Sequence, residues 1–116
     1  MTRPEVPPAD AVFDEFVCYY NGDLWDEFQR QSLEEWSTDS AERLLEATGS
    51  RAHETAQLLR SLSDNRDHPL LEPLERASLA DWTGEEELWP VFQELTRLIA
   101  TKLESLSSQA STGPGI

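Results

Sequence analysis

The sequence predicts an all-α fold, an irregular bundle of five to six short helices between disordered N- and C-terminal tails. Three observations carry that expectation. From about residue 9 to residue 106 apolar residues recur three and four positions apart, the spacing that lines one face of a helix. Several of these stretches open on a residue suited to cap a helix or close on Gly or Asn-Gly. Acid–base pairs also stand in the orientation that favours helix. Asp26 precedes Arg30, Asp39 precedes Arg43 and Glu72 precedes Arg76, each by four residues, at about 0.2–0.5 kcal/mol per pair.

The first helix is expected from about Ala9 to Tyr20, capped by Asp10 and stopped by Asn21-Gly22. Val12, Phe13, Phe16, Val17 and Tyr20 share its inner face, and Asp14 and Glu15 fit its polar face. Tyr20-Asn21-Gly22-Asp23 is also a hairpin turn signal, so a hairpin over residues 12–28 is the alternative. A second helix is expected from about Leu24 to Trp36, capped by Asp23, with Leu24, Trp25, Phe28 and Trp36 inward. A third, about Ser40 to Thr48, opens on Asp39 with Glu42 three residues on, a capping box, and ends at Gly49.

A fourth helix, about Arg51 to Ser63, is capped by Ser50 and buries Ala52, Ala56, Leu59 and Leu62. Residues 64–69 read as a loop. A short helix begins near Pro73, a residue suited to a first helical position, and carries Leu74, Ala77 and Leu79 to about Asp81. Thr83 and Glu86 form a second capping box ahead of the stripe Leu88, Phe92, Leu95, Leu98, Ile99, Leu103 and Leu106. Pro90 interrupts that stripe, because it deletes a backbone bond and clashes one turn back. Either the helix kinks there, or residues 84–89 form a separate turn and the long helix starts at Pro90. The long helix is expected to pack against the first two.

The organisation is a tail over 1–8, one domain over 9–106 and a tail over 107–116, the last reading SSQASTGPGI. Leu24-Trp25-x-x-Phe28-Gln29 echoes Leu88-Trp89-x-x-Phe92-Gln93, but neither flank extends the match, so it is read as chance. The N-terminal stretch has no apolar run of signal-peptide type, and no segment approaches the apolar length of a membrane span. A cytoplasmic protein is expected.

The charge is one-sided. The chain holds 23 Asp and Glu against 9 Lys and Arg, for a net charge of −14, and Lys102 is its single lysine. Such a surface repels phosphates, which argues against direct nucleic-acid binding, and attracts a basic protein partner. An acidic surface also serves plain solubility.

Catalytic and ligand-binding patterns are absent. The glycines at 22, 49, 84, 113 and 115 form no phosphate-binding loop. His53, His68 and Cys18 do not supply zinc-ligand spacing, and no Glu-x-x-His pair is present. One cysteine excludes an internal disulfide. Both histidines are read as structural. Glu85, Glu86 and Glu87, like Glu34 and Glu35, are paired acids by count alone, and a charge run is usually a solvated face. No enzyme activity, cofactor or metal is expected.

Two features point to partners. Cys18 lies roughly opposite the Phe13, Phe16 and Val17 face, with Tyr19 nearer its edge, so the first helix is apolar around much of its circumference. It is either central in the bundle or turned toward another chain. Trp82 and Trp89 flank the acidic run Glu85-Glu86-Glu87, as aromatic anchors do at interfaces, although such residues also plug small cores. Over four residues, Glu85-Glu86-Glu87-Leu88 resembles the partner-binding helix of colicin-type immunity proteins. The turn and tyrosines that follow in that family are missing, and no residue role is carried over.

The expected function is a non-catalytic acidic module, a small adaptor or inhibitor that engages a basic surface of a partner protein. The partner-binding candidates are Cys18, Tyr19, Trp82, Glu85, Glu86, Glu87 and Trp89. One alternative is a nucleic-acid mimic or nuclease inhibitor of anti-restriction, anti-CRISPR or immunity type, presenting Asp14, Asp26, Glu27, Glu34, Glu42 and Glu46. Another is a structural subunit or a homo-oligomer built through the first helix.

Overall fold

The computed structural model describes residues 6–20, 32–78, 84, 86 and 88–111. Among them every regular element is helical: α1 (Pro8–Tyr19), α2 (Leu33–Thr48), a 3₁₀ turn (Gly49–Arg51), α3 (Ala52–Asp64), α4 (Leu71–Ser78) and α5 (Leu88–Ser111). The all-α class therefore holds for these residues. The expected helix over 24–36 lies outside them except for its last turn, as do Asp23, Leu24, Trp25, Asp26, Phe28, Arg30, Asn21-Gly22, Leu79, Asp81 and Thr83.

Each boundary has a local cause. Pro7 takes the N-cap position of α1 and Pro8 its first helical position, so the chain enters one residue before the expected start. Asp10 is not the cap but an acid in the first turn, favoured by the helix dipole.

The largest correction concerns α2. It is one helix of 16 residues capped by Ser32, where two were expected to meet between Trp36 and Ser40. The Ser32 hydroxyl accepts from the Glu35 N–H at 3.2 Å, a cap four turns' worth of helix can follow. Ser37 and Thr38 then donate their hydroxyls back to the Glu34 carbonyl at 3.0 and 2.8 Å, so the polar Ser-Thr-Asp-Ser stretch stays helical. Asp39 is therefore mid-helix. Gly49 ends α2 at φ 54°, where a Cβ would be strained, and its N–H donates to the Leu45 carbonyl.

Arg51, rather than Ser50, holds the N-cap position of α3. α4 starts at Leu71, which places Pro73 in its first turn, where its missing N–H costs no helical bond. The same logic settles Pro90. α5 begins at Leu88, so Pro90 is its third residue and neither a kink nor a start at Pro90 is required. α5 continues past residue 106 to Ser111.

α5 is the spine. It packs chiefly on α3 and α2, while α1 lies across α2, α3 and α4; of the expected packing of the last helix on the first two, the described residues show a contact with α1, and most of the expected second helix lies outside them. The core holds Val12, Phe16, Leu44, Leu59, Leu62, Leu74, Phe92, Leu95, Ile99 and Leu103, all 0–1% exposed, burial worth about 1.5–3 kcal/mol for each large side chain. Leu88, Leu106, Phe13 and Val17 are half-buried, and Ala77 is exposed instead of inward. Phe92 of α5 meets Phe16 of α1 with ring centres 5.5 Å apart.

Small hydroxyl residues fill the tightest crossings. Thr48, Thr55, Ser63, Ser78 and Thr96 are fully buried, and each returns its hydroxyl to a carbonyl one turn earlier in its own helix. The burial cost is thereby met without an interhelical partner. At the α3–α5 seam Gln93 donates to the Ser63 carbonyl at 2.9 Å, Arg60 pairs with Glu104, and Arg97 reaches Asp64 at 3.3 Å.

Candidate functional site

The face where α1 crosses α2 carries the most unusual chemistry. On a helical wheel Glu15 follows Ala11 by four residues and Val12 by three, so it shares their side of α1. The structure buries it to 5% exposure, which corrects its placement on the polar face. Its carboxylate accepts from Ser40 at 2.7 Å and from Arg43 Nε at 3.0 Å and Nη2 at 2.7 Å. Arg43 therefore bridges to α1 rather than to Asp39 four residues earlier.

Ser40 spends its one hydroxyl proton on Glu15, so in the close contact between Ser40 and Tyr20 the phenol is the donor. Tyr20 also approaches the Trp36 carbonyl at 3.1 Å. Its ring lies 4.9 Å from Phe16 and 5.5 Å from Trp36. Burial raises the Tyr20 phenol far above its ordinary value near 10, outweighing the hydrogen bond to Ser40, which acts the other way.

This shift has a testable sign. Above about pH 10 the unfolded chain releases the Tyr20 proton while the folded chain keeps it, so the unfolded state binds fewer protons and stability falls as pH rises. Below pH 10 the contribution is fully present. Urea titrations from pH 8 to pH 11.5 are expected to show a decline that begins near pH 10 and is reduced in Tyr20→Phe. That variant is expected to cost about 1 kcal/mol at neutral pH. An equal alkaline decline in both proteins counts against the buried phenol.

Two predicted partner residues meet at this face. Tyr19 is 37% exposed, the one large hydrophobic residue that is exposed among the described residues, and the Arg43 guanidinium sits 3.7 Å from its ring centre. Cys18 is an exposed free thiol. Both line an open cleft of about 190 Å³ between the two helices, walled by Val6, Ala11, Leu44 and Ala47 and edged by Asp14, Glu15 and Arg43. Val6 is fixed there by its N–H bond to the Ala47 carbonyl at 2.9 Å.

The other candidates do not gather with them. Trp89 is half-buried, stacked on Phe92 at 5.5 Å, with the Arg66 guanidinium 5.5 Å from its ring centre, so it plugs the core end of α5. Glu86 is exposed in a turn. Trp82, Glu85 and Glu87 lie outside the described residues. α1 packs on three helices, while Cys18 and Tyr19 face outward.

His68 serves its loop: its Nδ1 accepts from the Leu70 N–H at 3.1 Å. His53 contacts Gln57 on the α3 surface at 3.3 Å. Among the described residues no group of three or more His, Cys, Asp or Glu side chains is placed to hold a metal ion, and no helix is long and apolar enough to cross a membrane.

Charge is distributed unevenly. Six cations form ion pairs: Arg43 with Glu15, Arg51 with Glu54, Arg60 with Glu104, Arg76 with Glu72, Arg97 with Asp64 and Lys102 with Glu34. The remaining described cation, Arg66, lies by Trp89. Glu35, Asp39, Glu42 and Glu46 are exposed on α2, and their 4-3-4 spacing forms a single stripe about 16 Å long. Among the described residues none of the four makes an ion pair. A search of family models, curated proteins and solved structures finds no match to this chain.

Proposed function

We propose that this chain is a non-catalytic binding module that docks on a basic surface of a partner protein. The observation that supports it most is the imbalance just described: the described cations are engaged within the molecule, while α2 shows four exposed carboxylates that pair with none of them. Like-charged ridges of this kind speed encounter with an oppositely charged surface and make the rate salt-dependent. A cytoplasmic adaptor or inhibitor fits this reading.

The nucleic-acid mimic draws less support. Of the acids expected to serve a mimic, Glu34 is tied to Lys102, and Asp26 and Glu27 lie outside the described residues.

The test is capture of partners from the source lysate at low and high salt, followed by association kinetics with the purified partner. The wild-type on-rate is expected to fall at least tenfold between about 50 and 300 mM salt. In a variant carrying Glu35→Gln, Asp39→Asn, Glu42→Gln and Glu46→Gln, the on-rate is expected to be lower and nearly flat with salt. A wild-type rate that ignores both salt and these substitutions defeats the reading.

A further inference from the structure

We propose that the cleft between α1 and α2 receives one apolar side chain projecting from a basic segment of another protein. The inference rests on the functional reading above and adds to it the place and the form of the contact.

Size and lining come first. A cleft of about 190 Å³ walled by Val6, Ala11, Leu44 and Ala47 has room for one Leu or Phe side chain and offers it aliphatic contact. Tyr19 stands at its edge, exposed and braced by Arg43, as a ring that an incoming chain can cover at little entropic cost. Such a pocket with one rigid aromatic is the usual form of an energetic anchor point.

Charge selects the occupant. Arg43, the cation at the cleft, is already neutralised by Glu15 at 2.7 Å. Asp14 lines the cleft and is exposed. Asp39 and Glu46 stand one turn before and about one turn after Arg43 on α2, and both are exposed. An apolar side chain entering here is flanked by carboxylates on both helices that form no ion pair among the described residues, so Lys or Arg beside it in sequence is favoured. A second copy of this chain brings a net charge of −14 against the same charge and is disfavoured.

Two short synthetic peptides of equal positive charge test this, one with a central Phe and one with Ala in its place. The full-length chain is expected to bind the Phe peptide at least about tenfold more tightly, the ratio that burying one such side chain gives. At saturation only the Phe peptide is expected to slow N-ethylmaleimide alkylation of Cys18. Ala47→Leu, which fills the half-buried wall, is expected to remove the difference between the peptides. Protection of Cys18 is read on the wild-type chain, so the test does not depend on that variant folding.

Equal affinity for the two peptides with no protection of Cys18 overturns the cleft proposal and leaves acidic docking in place. Failure of both peptides to bind at low salt overturns the cleft and the acidic docking together. Cys18 protection that grows with protein concentration and needs no peptide assigns the cleft to a second copy and overturns the proposal.

Discussion

Phe92→Ala is expected to destabilise the chain by about 3–5 kcal/mol. Phe92 is 0% exposed, and it joins α5 to α1 within the aromatic cluster. Its ring contacts Phe16 of α1 at 5.5 Å and stacks on Trp89 at 5.5 Å and 20°, and its helix is the one on which α2 and α3 pack. Truncation removes the transfer free energy of a benzyl group and leaves a hole where α5 meets α1. The surrounding rings are too large to fill it without leaving their rotamers.

A domain of this size has about 5–15 kcal/mol in total, so the variant should sit near the edge of folding. Urea denaturation is the measurement, with the midpoint lowered and the slope unchanged. Trp89→Ala, at a half-buried ring on the rim of the same cluster, is expected to cost less. A Phe92 loss under about 1.5 kcal/mol, or one smaller than that of Trp89, means that the aromatic junction does not organise the bundle.

The residues behind that prediction were legible before any coordinates. Phe92, Leu95, Ile99 and Leu103 follow helical spacing too regular for another element, and the structure buries all four. Ala52, Ala56, Leu59 and Leu62 behave likewise. What sequence alone misplaced has a physical cause in each instance. Ser32 and Asp39 each precede a Glu by three residues, so two capping boxes competed for one helix. The earlier cap prevails because Ser37 and Thr38 can back-bond within the helix, a choice that residue type does not reveal.

Arg43 had an acid four residues before it, so a local pair concealed a long-range one. Glu15 carried a readable signal, since it falls among Ala11, Val12 and Phe16 on the wheel, but a carboxylate is usually placed in water unless its cation is known. Of the candidate site, Cys18 and Tyr19 were legible as residues on the less buried side of an apolar helix. The cleft itself was not, because Val6, Leu44 and Ala47 reach it only through the crossing of α1 and α2 and the backbone bond from Val6 to Ala47.

The Glu15–Arg43 pair gives the second large expected effect, and its two halves should differ. Arg43→Ala strands a carboxylate that is 5% exposed, and removing one member of a buried pair costs about 3–5 kcal/mol. Glu15→Ala strands a guanidinium that is 34% exposed. That side chain can turn toward water and still lie on Tyr19, so about 2–3 kcal/mol is expected, part of it from the acceptor that Ser40 loses. The double variant Glu15→Leu with Arg43→Leu removes both charges, fills the volume with aliphatic contact, and is expected to fall within about 1 kcal/mol of wild type. A separate double variant, Glu15→Ala with Arg43→Ala, closes a mutant cycle with the two single losses, and its coupling term isolates the pair.

Asp39→Asn supplies the decisive comparison. If Arg43 answers to Glu15 across the helix crossing, removing an exposed charge four residues away changes stability by no more than about 0.5 kcal/mol. If the local pair holds Arg43 instead, Asp39→Asn and Glu15→Ala should cost alike and the cycle should show no coupling. The first outcome ties α1 to α2 through the Glu15–Arg43 bond, at the crossing that forms the cleft.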